Sequence, residues 1–329
     1  MSYLSGRPYL SDAAPLLEIR NLCVDYVSPN GVARAVNQVS LSLAPGETLG
    51  IAGESGCGKS TLAFAISRLH KAPALISEGE ILYQGTDVLK MNERQLRNFR
   101  WNEVSVVFQS AMNSLNPVIT IGEQLTDVIR AHKKVTARQA RERAAELLNI
   151  VGIHADRLQS FPHQLSGGMR QRVVIAVALA LEPKLIIMDE PTTALDVVVE
   201  REILNELYDL KRQFGFSILF ISHDLSLMGE IADRIGVMYA GNLIEMGEAR
   251  HVFGDPQHPY TKGLISSFPT IHGPKERLFG IPGHPVSLLN LPPGCNFRER
   301  CHVCDATCGK KEPVLRQVAN GSLVSCHLL

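Results

Sequence analysis

The chain has no long hydrophobic run. Its longest apolar stretch, Val173–Leu181, is nine residues and stops at Glu182-Pro183, against the roughly 18–20 a membrane helix needs. It also has no surplus of charge: 33 Lys+Arg balance 33 Asp+Glu, which excludes a strongly basic nucleic-acid binder and leaves no electrostatic reason for polyanion binding. The N-terminus, Met-Ser-Tyr-Leu-Ser-Gly-Arg-Pro, lacks the basic region and apolar core of a secretory leader. A cytoplasmic chain is expected, in a compartment that disfavours disulfides. There is no internal repeat and no low-complexity tract, so repeat and disordered architectures drop out.

What is present is ordinary for a globular protein, with 45% hydrophobic and 20% charged residues in 329. A single core stops growing at about 250–300 residues, so one large domain plus an appendage is expected. Short apolar or alternating segments, Leu16–Ile19, Leu22–Tyr26 and Val36–Leu43, are separated by turn residues and read as strands. Thr48–Ala52 is an apolar strand followed by a Gly-rich turn and a helix over Thr61–Leu69. Residues 120–151 carry helical spacing. Leu185–Met188 and Ser217–Ile221 are short, apolar and bounded, as buried parallel strands are. The plan is strand–helix alternation around a parallel sheet, interrupted by a helical insertion. Beyond Phe253 proline and glycine become more frequent and the chain loosens.

Between that strand and helix, Gly53-Glu-Ser-Gly-Cys-Gly-Lys59-Ser60 fits G-x-x-x-x-G-K-[ST]. Glycines let successive backbone N–H groups turn inward around phosphate oxygens, and the helix N-terminus adds a favourable dipole. Lys59 reaches the β and γ phosphates and Ser60 can ligate Mg²⁺. The expected nucleotide contacts here are Gly53, Ser55, Gly56, Cys57, Gly58, Lys59, Ser60 and Thr61. Cys57 has a second reading as a redox sensor, because a helix N-terminus lowers a thiol pKa; a small residue tolerated in the loop is the plainer one.

Leu185-Ile-Ile-Met-Asp189-Glu190 is a buried strand ending in two carboxylates. Ligands of open parallel sheets bind at the C-terminal ends of strands, so the pair would face the phosphate loop. Asp189 can hold Mg²⁺, and Glu190 can orient and deprotonate an attacking water. Upstream, Leu165-Ser166-Gly167-Gly168-Met169-Arg170-Gln171 opens a helix and forms a second anion-binding concavity.

The order of these motifs resembles the ATP-binding cassette (ABC) ATPases over about residues 16–329. The resemblance implies an α/β P-loop NTPase fold: a RecA-like core, an antiparallel β-subdomain, a helical subdomain at about 110–180 and a Cys-rich C-terminal extension. It places an N-terminal extension at 1–15, the cassette at 16–252 and the extension at 253–329. It further implies Tyr26 as the adenine-stacking aromatic and Gln109 as a Mg²⁺ ligand coupling the γ-phosphate to the membrane partner. Asp196 follows as the D-loop residue and His223 as a γ-phosphate contact. In that family two cassettes pack head to tail, so Ser166, Gly167, Gly168, Met169 and Gln171 would serve the partner's ATP.

Two segments are similar to the dipeptide/oligopeptide (peptide/nickel) importer branch: Gln109 through Asn116-Pro117 to Gln124, and His258-Pro259-Tyr260-Thr261-Lys-Gly-Leu264. That branch implies two membrane-spanning permease subunits, a second ATPase that is a copy or a paralogue, and an extracytoplasmic solute-binding protein. No nucleic acid is implied, and the chain would sit peripherally on the cytoplasmic membrane face. Cys295, Cys301, Cys308 and Cys326 resemble the tail with which some members hold a four-iron, four-sulfur cluster; thiolates suit iron. Zinc is the main alternative, with His302 and His327 as further donors, and a tail holding no metal is the third. Cys304 departs from the pattern and is taken as a bystander. The expected activity is ATP hydrolysis powering import of di- or oligopeptides. The alternatives are nickel or oligosaccharide import, or a soluble ATPase regulated by its tail.

Overall fold

The computed structural model describes residues 14–108, 114–192, 196–267 and 280–329. The first elements are β1 (Leu17–Ser28), β2 (Gly31–Leu43), β3 (Thr48–Ala52) and α1 (Lys59–Ile66), then β4 (Ala74–Tyr83), β5 (Thr86–Asp87), α2 (Glu93–Asn102) and β6 (Val104–Val107). Helices α3 (Ile121–His132), α4 (Ala137–Ile150) and α5 (Gly167–Ala178) follow, then β7 (Leu185–Asp189), α6 (Val197–Phe214) and β8 (Ser217–Ile221). Next come α7 (Leu225–Ile231), β9 (Arg234–Tyr239), β10 (Asn242–Glu248), α8 (Ala249–Gly254) and α9 (Pro259–Ser266), and finally β11 (Arg316–Gln317) and β12 (Leu323–Val324).

Two sheets organise these elements. One is antiparallel, in the order β2-β1-β4-β5; the other has eight strands in the order β11-β12-β10-β9-β3-β8-β7-β6. Strands β9, β3, β8, β7 and β6 pair in parallel, whereas β10, β12 and β11 extend the same sheet antiparallel. Period-two alternation assigns residues to two cores. From β7, Ile186 and Met188 face the helices α5 and α6, while Leu185 and Ile187 face the antiparallel sheet. From β8, Ile218 and Phe220 take the first side and Leu219 and Ile221 the second. All ten β7 and β8 residues are buried, as strands covered on both faces are.

Several sequence expectations need adjusting. The two segments 16–19 and 22–26 form one strand, β1, with register shifts between Ile19 and Asp25, the first of them at Asn21, whose φ is 45°. An extra residue is absorbed there as a bulge, which masks the alternation. The helical stretch 120–151 is two helices, each opened by a threonine capping box, Thr120 with Glu123 and Thr136 with Gln139. Strand β4 shows no clear alternation because Ser77-Glu78-Gly79 interrupts it with exposed residues. The segment after Phe253 is also not purely an appendage, since β11 and β12 complete the main sheet.

Candidate nucleotide site

The loop after β3 owes its shape to glycine. Gly53 and Gly58 take φ of 149° and 108°. A Cβ on Gly53 would collide with the Met238 carbonyl, and one on Gly58 with that of Ala35. Gly58 therefore caps α1 in a left-handed conformation. The turn after β9 buttresses the loop, Gly241 N–H donating to the Cys57 carbonyl at 3.0 Å. Ser55 and Gly56 form an exposed crest, and Cys57 and Lys59 are buried. Lys59 Nζ donates to the carbonyls of Gly53 (2.7 Å) and Glu54 (3.0 Å). Burial pushes the Cys57 thiol pKa up against the pull of Lys59. That direction works against the thiolate a redox sensor needs and favours the plainer reading of Cys57 as a small residue in the loop.

Beneath the loop, Ser60 Oγ donates to Asp189 Oδ1 at 3.0 Å. Asp189 is 2% exposed; burial raises its pKa, opposed by the Ser60 hydrogen bond and reinforced by Glu190. Glu190 follows β7 with φ of 46°, a conformation that costs about 1–3 kcal/mol in a non-glycine residue. It is held there by its N–H to the Ile221 carbonyl (2.8 Å). Its carboxylate lies 3.4 Å from Nδ1 of His223, whose side chain is exposed. Strands β3, β7 and β8 thus bring Lys59, Ser60, Asp189, Glu190 and His223 to one sheet edge. Tyr26, half-buried on β1, shares a 3.2 Å hydrogen bond with Thr61 on α1.

The second concavity is built locally. Ser166 caps α5 through Met169 N–H (3.3 Å), with Gly167 and Gly168 opening the helix. A Cβ on Gly168 would meet Val199 of α6 at 2.8 Å, so close α5–α6 packing dictates that glycine. Ser166 is exposed, but Gln171 is 1% exposed and faces the interior. As placed, the Gln171 side chain is buried while that of Ser166 is exposed. Asp196 caps α6, accepting from the amides of Val198 and Val199. Gln109 lies outside the described residues.

Comparison with known proteins bears on this geometry. Residues 36–193 match the ABC transporter family, and residues 244–308 match the oligopeptide/dipeptide transporter C-terminal region. The oligopeptide transport ATP-binding protein OppD of Bacillus subtilis (strain 168) is 43% identical over 95% of this chain and 89% of that protein. The Escherichia coli (strain K12) protein of the same name is also 43% identical, over 95% and 93%. The chain belongs to the oligopeptide/dipeptide branch of the ABC transporter ATPases. Among solved structures, a dimeric ATP-binding cassette bound to ADP and phosphate superposes with a TM-score of 0.64 at 29% identity, covering 71% of this chain and 99% of that one. A Clostridium perfringens cassette, part of an ABC transporter complex, gives 0.63 at 28%, over 73% and 91%. The fold is the ABC cassette of the P-loop NTPases and the enzyme is an ATPase. As an importer ATPase it works with membrane permease subunits and a partner ATPase. Among the described residues no helix is long and apolar enough to cross a membrane.

This ABC ATPase carries contacts at its site that motif reading missed. Tyr260 in the His-Pro-Tyr-Thr segment accepts the Glu54 N–H at 3.0 Å. Glu54 also pairs with Arg300, 246 residues away. The segment is positioned by Glu245, which is fully buried and accepts from the amides of Gln257 (2.8 Å) and His258 (2.9 Å). Cys295, Cys301, Cys308 and Cys326 line one pocket with His258, Phe297 and His327, whereas Cys304 is exposed and outside that lining. Cys295 N–H donates to the Cys308 carbonyl at 2.7 Å. Gly294, with φ of 80°, permits that approach, since a Cβ there would strike the same carbonyl. Among the described residues, no three His, Cys, Asp or Glu side chains stand together as a ready site for one metal ion.

Proposed function

We propose that this chain is the ATP-hydrolysing subunit that drives import of di- and oligopeptides, working as one half of a head-to-tail cassette pair. The observation that carries the proposal is the hydrogen bond between Ser60 at the head of α1 and Asp189 at the end of β7. It joins the phosphate loop to the acidic strand end, as P-loop nucleotide chemistry requires. The peptide class is supported by the match to the oligopeptide/dipeptide C-terminal region and by the relatives named above. Two permease subunits, a second ATPase and an extracytoplasmic solute-binding protein complete the assembly. The chain sits peripherally on the cytoplasmic face, with the cassette over 16–252 and its extension over 253–329.

Tyr26 stacks on adenine, and the loop amides around Gly53–Thr61 cradle the phosphates. Lys59 exchanges its carbonyl partners for β- and γ-phosphate oxygens. Ser60 and Asp189, with Gln109, hold Mg²⁺, which when bound neutralises phosphate charge. Glu190 orients a water and takes its proton; its left-handed backbone turns the carboxylate toward His223, which contacts the γ-phosphate. Ser166, Gly167, Gly168 and Met169 close on the partner's nucleotide, and Asp196 lies at the junction. Hydrolysis lets the pair separate. Purified transporter in vesicles, with its binding protein loaded with peptide, tests the assignment. Peptide-stimulated turnover and uptake are expected. Stimulation only by nickel complexes or oligosaccharides would replace the substrate class.

We also infer that Cys295, Cys301, Cys308 and Cys326 hold a four-iron, four-sulfur cluster. Support comes from the pocket that these four residues share. Such a cluster would pin a tail rich in turns and poor in apolar core.

A further inference from the structure

We propose that Arg300 is a positioning residue for the phosphate loop, acting through Glu54. This rests on the reading of Gly53–Ser60 as the ATP site. Glu54 is the first residue after Gly53 and puts a carboxylate into a loop whose task is to receive a triphosphate. Arg300 grips that carboxylate with two parallel bonds, 2.7 and 2.9 Å. Its side chain is only 4% exposed, against 26% for Glu54. Nε donates to the Pro282 carbonyl at 2.8 Å, and the guanidinium lies 5.8 Å from the Tyr239 ring centroid and 6.0 Å from that of Phe297. Four different groups therefore hold the cation in one orientation.

The same part of the chain holds the loop's backbone. Tyr260, fully buried, accepts a hydrogen bond from the Glu54 amide N–H, and packs against Tyr239 and Phe297 at centroid distances of 4.8 and 5.4 Å. The start of the phosphate loop is thus fixed at a side chain and at a main-chain amide, both by residues beyond 253. Arg300 does two things here. It cancels a negative charge that would otherwise repel the phosphates, and it orders the loop before ATP arrives, so less ordering is left to the binding step. A lysine could not do both, because a point charge lacks the planar fork and the stacking face. Arg300 also adjoins Cys301, so the cysteine pocket and the ATP site share one covalent segment.

The test measures MgATP affinity by calorimetry and ATPase KM and kcat in the assembled transporter. The proteins are wild type, R300M, R300K, E54Q and the double variant R300M/E54Q, with K59A as a reference for the site itself. R300M is expected to raise Kd and KM about tenfold, the scale of a lost charge-assisted pair. Its kcat should stay within about threefold, because Glu190 and His223 are untouched. R300K should fall between R300M and wild type. The double variant should recover to within about threefold of wild type, since a neutral Glu54 position no longer repels phosphate; a purely structural role for Arg300 gives no such rescue. Wild-type affinity in R300M, or a double variant no better than R300M, overturns the proposal. Should R300M fail to fold, wild-type KM in R300K overturns it equally. Normal ATP binding by K59A would instead bring down the site reading, and the clamp with it.

Discussion

Replacing His258 by Asn isolates one titrating group that holds the C-terminal segment against the phosphate loop. His258 is 2% exposed. Its Nδ1 accepts the Tyr260 N–H at 3.0 Å and so caps α9. The ring also hydrogen-bonds the backbone of Ser325, while burial pulls its pKa down from 6.5 to about 4. A base whose folded pKa is depressed stabilises the fold fully above the unfolded pKa. That stability is lost as pH falls from 6.5 toward 4. At 1.36 kcal/mol per pKa unit the loss is about 2 kcal/mol at pH 5 and reaches roughly 3 kcal/mol below pH 4. For a chain of this size 1 kcal/mol moves Tm by about 2 °C, so roughly 4 °C is expected at pH 5. Asparagine keeps an oxygen acceptor for the cap but cannot titrate. Scanning calorimetry at pH 7.5 and pH 5.0 should show wild type ahead at the higher pH. The gap should close by about 4 °C at the lower one, with faster hydrogen exchange in α9 of wild type. Equal pH shifts in both proteins would refute the reasoning, because every other titrating group is shared.

Gly58→Ala should lose ATP binding and destabilise by roughly 2 kcal/mol or more, given its left-handed backbone and the collision with the Ala35 carbonyl; ATP-dependent change in Tm is the readout. Lys59→Ala should also abolish the ATP-induced rise in Tm while lowering the unliganded Tm by about 4 °C, a size set by loss of two hydrogen bonds to loop carbonyls at about 1 kcal/mol each. Anaerobic preparation followed by iron and sulfide analysis should find iron in wild type and Cys304→Ser, and little in Cys295→Ser. Colourless protein with stoichiometric zinc would contradict the cluster.

Much of the site was legible because its chemistry lies in contiguous residues. Gly53–Ser60, Asp189-Glu190 and Ser166–Met169 each encode a local backbone shape, and β7 and β8 announce themselves as bounded apolar runs. The rest depends on distant pairings that leave no local pattern. Arg300 and Glu54 meet across 246 residues, and nothing in the spacing of either points to the other. Strands β11 and β12 are two residues each, too short for alternation to show, and owe their conformation to the pairing of β12 with β10 and of β11 with β12. The burial of Gln171 follows from helical periodicity along α5. The left-handed Glu190 follows from its tertiary partners rather than from its propensity.

The central claim is that ATP is hydrolysed here by a water that Glu190 activates. Glu190→Gln measures it directly, since the substitution removes the base and keeps its shape. The variant should bind MgATP with wild-type affinity, while turnover falls by about 10²–10⁴-fold, the contribution of a positioned general base. Turnover within a few-fold of wild type, at unchanged ATP affinity, would contradict the account.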